Sequence, residues 1–292
     1  MLYRLLVAVT AIGRRIPLPL GRVFGRALGR LAWHVARRER KKALRNVAIA
    51  FPEWNEAKRR DTIRAMFRHL GTSLFEIAWM RNMDVATRDR LTVIEGAEPL
   101  LRLIDAGRGV VVFTAHCGNW EWMSYAVGLW GRPTTVLQRE RDAPEMNRWI
   151  TEHRARSGVR TIDRGSAAAG RELIQSLRRG GILAFLIDQN IRTDSVEVPF
   201  FGRRALTPIG PAKLAVRTES IVVDILVERL PDGRHRLKVG EPMETKRDDD
   251  PVALTARMTR IIEEQIRRAP EQWVWMHDRW RDRPRWNVER AE

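Results

Sequence analysis

Residues 110–114, Val-Val-Val-Phe-Thr, carry no charge and favour extended backbone, the pattern of a strand buried on both faces of a parallel sheet. Similar short runs recur at 133–137, 159–162, 182–187, 221–227 and 236–239. Between them, apolar residues return at helical spacing over 96–106, 120–130, 144–157, 166–179 and 208–218. A longer stretch, 55–83, sets Phe67, Leu70, Leu74, Ile77 and Ala78 on one side of a predicted helix. The alternation predicts an α/β fold with a mainly parallel central sheet flanked by helices. Thr207-Pro208 reads as a helix start, the hydroxyl as N-cap and the proline at the first helical position. Asp248 to Pro251 reads as a helix-entry turn, and no repeat or low-complexity tract interrupts the chain.

The amino-terminal segment has a different pattern. Leu2 to Ile12 is apolar apart from Arg4 and stops at Arg14-Arg15, short of the roughly 20 residues that a membrane-spanning helix requires. From Gly21 to Arg38 the periodicity is four: Arg22, Arg26, Arg30, His34 and Arg38 form one stripe, Gly21, Gly25 and Gly29 a second, and Phe24, Leu28, Leu31 and Val35 an apolar one. That pattern fits an interfacial helix whose glycines admit a close neighbour, and equally a solvated basic face over an ordinary core helix. Charge adds to the picture. The net charge is +17, and residues 1–45 hold twelve basic side chains against one acid, Glu39. We therefore expect residues 1–45 to be a helical segment that associates with an anionic membrane surface, and residues 46–292 to be a single domain. No nucleic-acid-binding module is recognisable, so nucleic acid is not the expected partner.

Candidate chemistry sits just past the 110–114 strand, where His116-Cys-Gly-Asn-Trp-Glu121 leads into the next helix. Ligands in open α/β sheets collect outside the carboxyl ends of strands, so His116 is expected to face a cleft. Neutral imidazole accepts protons near pH 7, and a carboxylate on its other nitrogen fixes the tautomer; Glu121 is the expected partner. A satisfied structural histidine is the competing reading. The six histidines and one cysteine show no metal-ligand spacing, and neither a metal nor a cofactor is expected. Cys117 allows no intrachain disulfide and, adjacent to His116 on extended backbone, is badly placed to be activated by it.

The block His116 to Glu121 resembles the H-x4-D/E motif of glycerolipid-type acyltransferases, in the form carried by the lipid A late acyltransferases of lipopolysaccharide assembly. Further segments agree with that family in order: Asn46 to Glu53, Asp188-Gln-Asn190, Pro199-Phe-Phe-Gly202 with Leu206-Thr-Pro208, and Pro270 to Trp275 with Arg279-Trp280. The resemblance spans nearly the whole chain. Mycobacterial-type phosphatidylinositol mannoside acyltransferases are similar in the same places.

This resemblance implies an acyl-carrier-protein thioester as donor and a hydroxyl of a membrane glycolipid, such as a lipid A precursor, as acceptor. It places the enzyme at the cytoplasmic face of the bacterial inner membrane. His116 would deprotonate the hydroxyl and Glu121 would hold the ring. Arg139 and Arg164, each just past a predicted strand, are candidates to grip acceptor phosphates or the oxyanion, or are solvated surface groups. Asn119, Asp188 and Gln189 are candidate substrate-binding residues; support of the His116 loop is the other role open to Asp188 and Gln189. Phe200, Phe201, Trp120 and Trp122 could line an acyl channel or simply fill the core. Trp273, Trp275 and Trp280, with Arg279, Arg281 and Arg283, could lie at headgroup level or pack as an ordinary tail. Two other classes are a soluble α/β lipid hydrolase, which would need a nucleophile elbow that this chain lacks, and a non-catalytic lipid-binding protein.

Overall fold

The computed structural model describes residues 2–138, 144–163, 169–191, 193–281 and 288–290. The first third is helical: α1 (Leu2–Gly13), α2 (Leu18–Val35), α3 (Arg37–Ala50), α4 (Glu56–Trp79) and α5 (Val85–Leu91). Then β1 (Thr92–Glu95), α6 (Ala97–Asp105), β2 (Val110–Thr114), α7 (Trp120–Gly128), β3 (Thr134–Gln138), α8 (Pro144–Ala155), β4 (Val159–Asp163), α9 (Ala169–Arg178) and β5 (Ile182–Leu186) alternate. The remainder comprises β6 (Ser195–Phe200), β7 (Arg203–Pro208), α10 (Gly210–Thr218), β8 (Ile221–Arg229), β9 (His235–Val239), α11 (Pro251–Arg268) and β10 (Val288–Arg290).

Seven strands form the main sheet in the order β1-β9-β8-β2-β5-β3-β4, all parallel except the β8–β9 hairpin. β2 lies at its centre. Val111 and Phe113 face one apolar cluster with Leu183, Phe185 and Val222, while Val110 and Val112 face another with Ile182, Val223 and Ile225. A strand covered on both faces has no reason to alternate polar and apolar residues, which explains its unbroken pattern. The parallel α/β architecture expected from the alternation is therefore present.

Two boundaries differ from expectation. Thr207 and Pro208 end β7, which pairs antiparallel with β6 in a separate three-stranded sheet, and α10 starts at Gly210 with Pro211 in its first turn. The proline three residues on, Pro211 within Thr-Pro-Ile-Gly-Pro, is the one that opens the helix. The expected helix from Gly21 to Arg38 is broken at Ala36, whose non-helical backbone separates α2 from α3.

α2 buries its glycine stripe. Gly21, Gly25 and Gly29 lie against α4, and a Cβ added at Gly25 would come within 2.6 Å of the Gly71 carbonyl oxygen, so only glycine allows the two backbones this close. Arg22 is not a surface charge: its Nε donates to Glu76 at 2.8 Å. Glu76, fully buried, also receives Arg229 at 2.5 Å and lies 3.2 Å from His235 Nε2. Burial opposes its ionisation, but His235 and Arg229 outweigh that and hold its carboxyl well below the usual range. The apolar stripe faces outward, with Phe24, Leu28, Leu31 and Val35 each 49–69% exposed. No helix among the described residues is long and apolar enough to cross a membrane.

Candidate active site

β2 and β5 are neighbours, with Val110 opposite Ile182 and Thr114 opposite Leu186. Extending that register two residues past both strands sets His116 beside Asp188. The side chains meet there: Nδ1 of His116 lies 2.8 Å from Oδ1 of Asp188. The other carboxylate oxygen accepts the His116 backbone N–H at 2.9 Å and the Trp273 indole N–H at 2.7 Å. Burial alone would raise the pKa of Asp188, but the imidazole and these hydrogen bonds prevail and hold it at about 2. An ionised carboxylate can only accept, so the ring proton sits on Nδ1 and Nε2 keeps its lone pair. This is the arrangement of a general base with an orienting acid.

The loop between β2 and α7 is clamped from the far end of the chain. Gly118, at φ 58°, donates its N–H to the Gln272 carbonyl at 2.9 Å, and Val274 donates to the His116 carbonyl at 3.2 Å. Asn119 caps α7, accepting the Trp122 N–H at 3.1 Å and donating to Glu76 at 2.9 Å. It is 2% exposed, so its polar atoms are committed to the fold.

The expected His116–Glu121 hydrogen bond is replaced by His116–Asp188. Glu121, in the first turn of α7, is instead gripped by Arg154 of α8, which donates Nη2–H to one carboxylate oxygen at 2.5 Å and Nε–H to the other at 3.0 Å. Arg154 also donates to Gln138 at 3.0 Å, and Gln138 donates to Asp163 at 3.0 Å. The physical reason for the exchange of partners is sheet register. Two residues at matching positions past adjacent parallel strands are held side by side, whereas a carboxylate one helical turn away is free to take the nearest guanidinium.

A cavity of ≈ 1260 Å³ opens at this place. Its polar wall includes His116, Glu121, Arg154, Gln189 and His277, and its apolar wall Leu137, Leu173, Ile174, Phe185, Ile187 and Leu214. Trp120 lines it as well, its ring edge-on to His116 at 5.0 Å between centroids. Such a space can seat a long apolar chain beside the imidazole.

The other expected residues fall elsewhere. Trp122, Phe200 and Phe201 are buried core side chains and do not line the cavity. Trp273, Trp275 and Arg279 are also buried, and Trp280 stacks on Phe200 at 5.7 Å, so these four residues pack into the fold and the headgroup reading is corrected for them. Arg139, Arg164 and Arg283 lie outside the described residues. Cys117 is buried; burial and then the charge of Asp188 push its thiol well above the ordinary range, which leaves it protonated and unreactive. Among the described residues no group of three or more side chains is arranged to hold a metal ion.

Arg154 and His277 were not anticipated. Arg154 is one basic residue among 53 and carries no local signal, and His277 falls between two of the motif blocks, Trp275 and Arg279.

The sequence as a whole matches an enzyme family. The bacterial lipid A biosynthesis acyltransferase family matches residues 1–282, and the chain belongs to that family. It is therefore an acyltransferase. It is 29% identical to the lipid A biosynthesis lauroyltransferase of Escherichia coli strain K12 over 276 residues, covering 92% of this chain and 88% of that one. Identity is 30%, with the same coverage, to the lipid A biosynthesis palmitoleoyltransferase of that organism. A phosphatidylinositol mannoside acyltransferase of Mycobacterium tuberculosis is 31% identical over 153 residues, which is 50% of this chain and 46% of that one.

Proposed function

We propose that this enzyme moves a fatty acyl chain from an acyl-carrier-protein thioester to a hydroxyl of a lipid A precursor or closely related glycolipid, with His116 as general base. The observation that carries this reading is the His116–Asp188 pair, joined at 2.8 Å with His116 on the wall of a large cavity that has both a polar and an apolar side, in a member of this family. The acceptor hydroxyl gives its proton to Nε2 while its oxygen attacks the thioester carbonyl. Asp188 fixes the ring and offsets the positive charge that the proton brings. Glu121 and Arg154, locked together on the same wall, orient the acceptor at the attack position. Arg139 and Arg164 are proposed to grip its phosphates. The phosphatidylinositol mannoside relative leaves room for another glycolipid acceptor.

The reaction requires access to a lipid. The outward stripe of Phe24, Leu28, Leu31 and Val35, flanked by exposed Arg26 and Arg30, supports peripheral docking of α2 on the cytoplasmic face of the inner membrane. Incubation of purified protein with acyl-carrier-protein thioesters and lipid A precursors, read by mass spectrometry, tests the activity; vesicle flotation tests the docking.

A further inference from the structure

We propose that His277 is a second catalytic residue, whose Nδ1–H donates a hydrogen bond to the thioester carbonyl oxygen as it becomes an oxyanion. The inference rests on the acyl-transfer reading above. His277 lines the same cavity as His116. Its Nε2 accepts the Asn190 backbone N–H at 2.9 Å, so Nε2 cannot hold a proton and the neutral ring carries it on Nδ1. Nδ1 has no hydrogen-bond partner among the described residues.

The ring is also rigidly mounted. Asn46 donates to the backbone carbonyls of Trp275 at 2.8 Å and His277 at 2.6 Å. Asp188 and Asn190 belong to one turn after β5, so this turn fixes both imidazoles with opposite polarity: His116 gives its Nδ1–H to Asp188, and His277 accepts at Nε2 from Asn190. One ring is left with a free lone pair and the other with a free proton. Burial lowers the pKa of His277, against the charge of Asp188, which favours the neutral donor. A neutral imidazole is a suitable electrophile for a developing oxyanion because it stabilises charge without surrendering its proton.

In the transfer, the acceptor O–H bond breaks and its proton goes to Nε2 of His116 while the oxygen forms a bond to the carbonyl carbon. The C=O π pair moves onto the carbonyl oxygen, which Nδ1–H of His277 holds. Collapse restores C=O and breaks the C–S bond, and the departing thiolate takes the proton from His116, giving ester and thiol.

The test uses the whole enzyme with Nδ-methylhistidine at 277, which keeps the Nε2 acceptor for Asn190 but removes the donor, together with His277→Gln and His277→Phe. Thermal melts establish that each is folded. The expected result is a fall in kcat of about 10²–10³-fold for the methylated ring and for His277→Phe, with KM for both substrates within a few-fold, and at least tenfold recovery in His277→Gln, whose amide can donate. A methylated enzyme with near-normal kcat, or a loss confined to KM, would overturn the assignment. Transfer by the wild-type protein is measured first: its absence would overturn the acyl-transfer reading, whereas loss restricted to the 277 variants concerns His277.

Discussion

His116 and Asp188 stand 72 residues apart in sequence and 2.8 Å apart in space, a contact set by the register of β2 on β5. Asp188→Asn should keep the fold yet lower kcat by about 10⁴-fold, because an amide that donates to Nδ1 forces the ring proton onto Nε2, where the base must be free. His116→Ala should cost a similar amount, and the double variant little more, since the two act as a unit. Steady-state kinetics with a melting curve for each variant checks this; independent, multiplying losses would separate the pair. For Glu121 and Arg154 the expectation concerns geometry. Arg154→Lys should not restore the activity lost in Arg154→Ala, because one ammonium cannot make the three hydrogen bonds that now engage Glu121 and Gln138. Full rescue by lysine would show that only its charge matters.

At the scale of elements, α2 carries two faces with separable roles. Gly25→Leu or Gly29→Leu should destabilise the protein by at least about 1–3 kcal/mol by forcing α2 off α4, measured by denaturant unfolding. Replacing Phe24, Leu28 and Leu31 with serine should leave stability nearly unchanged and weaken flotation with anionic vesicles, since these side chains are already exposed. Unaltered vesicle binding would move the lipid contact elsewhere. The four-residue period of this helix was legible in the sequence, but not which stripe faced inward, because the apolar stripe alone would suit a core and the glycines need the unseen backbone of α4. The strand ending at His116 was legible for the opposite reason: a central parallel strand is apolar throughout. Its acid was not, because the order β2-β5 depends on how the whole sheet closes, and Glu121 is the nearer carboxylate in sequence. β6 and β7 escaped notice because Pro199 and Pro208 argue against regular strands, a penalty that their separate small sheet tolerates.

At the scale of the whole molecule, buried histidines make stability depend on pH. Burial, then Arg229, lowers His69 to about 3, and burial lowers His153 to about 4, each from an ordinary 6.5. Both are neutral in folded and unfolded chains above 6.5. Below it the unfolded chain takes up protons that the folded one refuses, so stability falls as pH drops from 6.5 towards 3–4. Asp188 adds to the acid side, its contribution being lost between 3.8 and about 2. Melting temperature should therefore rise between pH 4 and 6.5 and level off above, and His153→Phe should flatten the rise; a slope unaffected by that substitution would remove His153 from the account. The central claim is that this fold uses His116 to pass an acyl chain to a glycolipid. Its most direct test is mass spectrometry of a lipid A precursor incubated with an acyl-carrier-protein thioester and purified enzyme. The account requires a product heavier by one acyl group with the wild-type protein and almost none with folded His116→Ala; full activity in that variant, or no acylated product from the wild type, would contradict it.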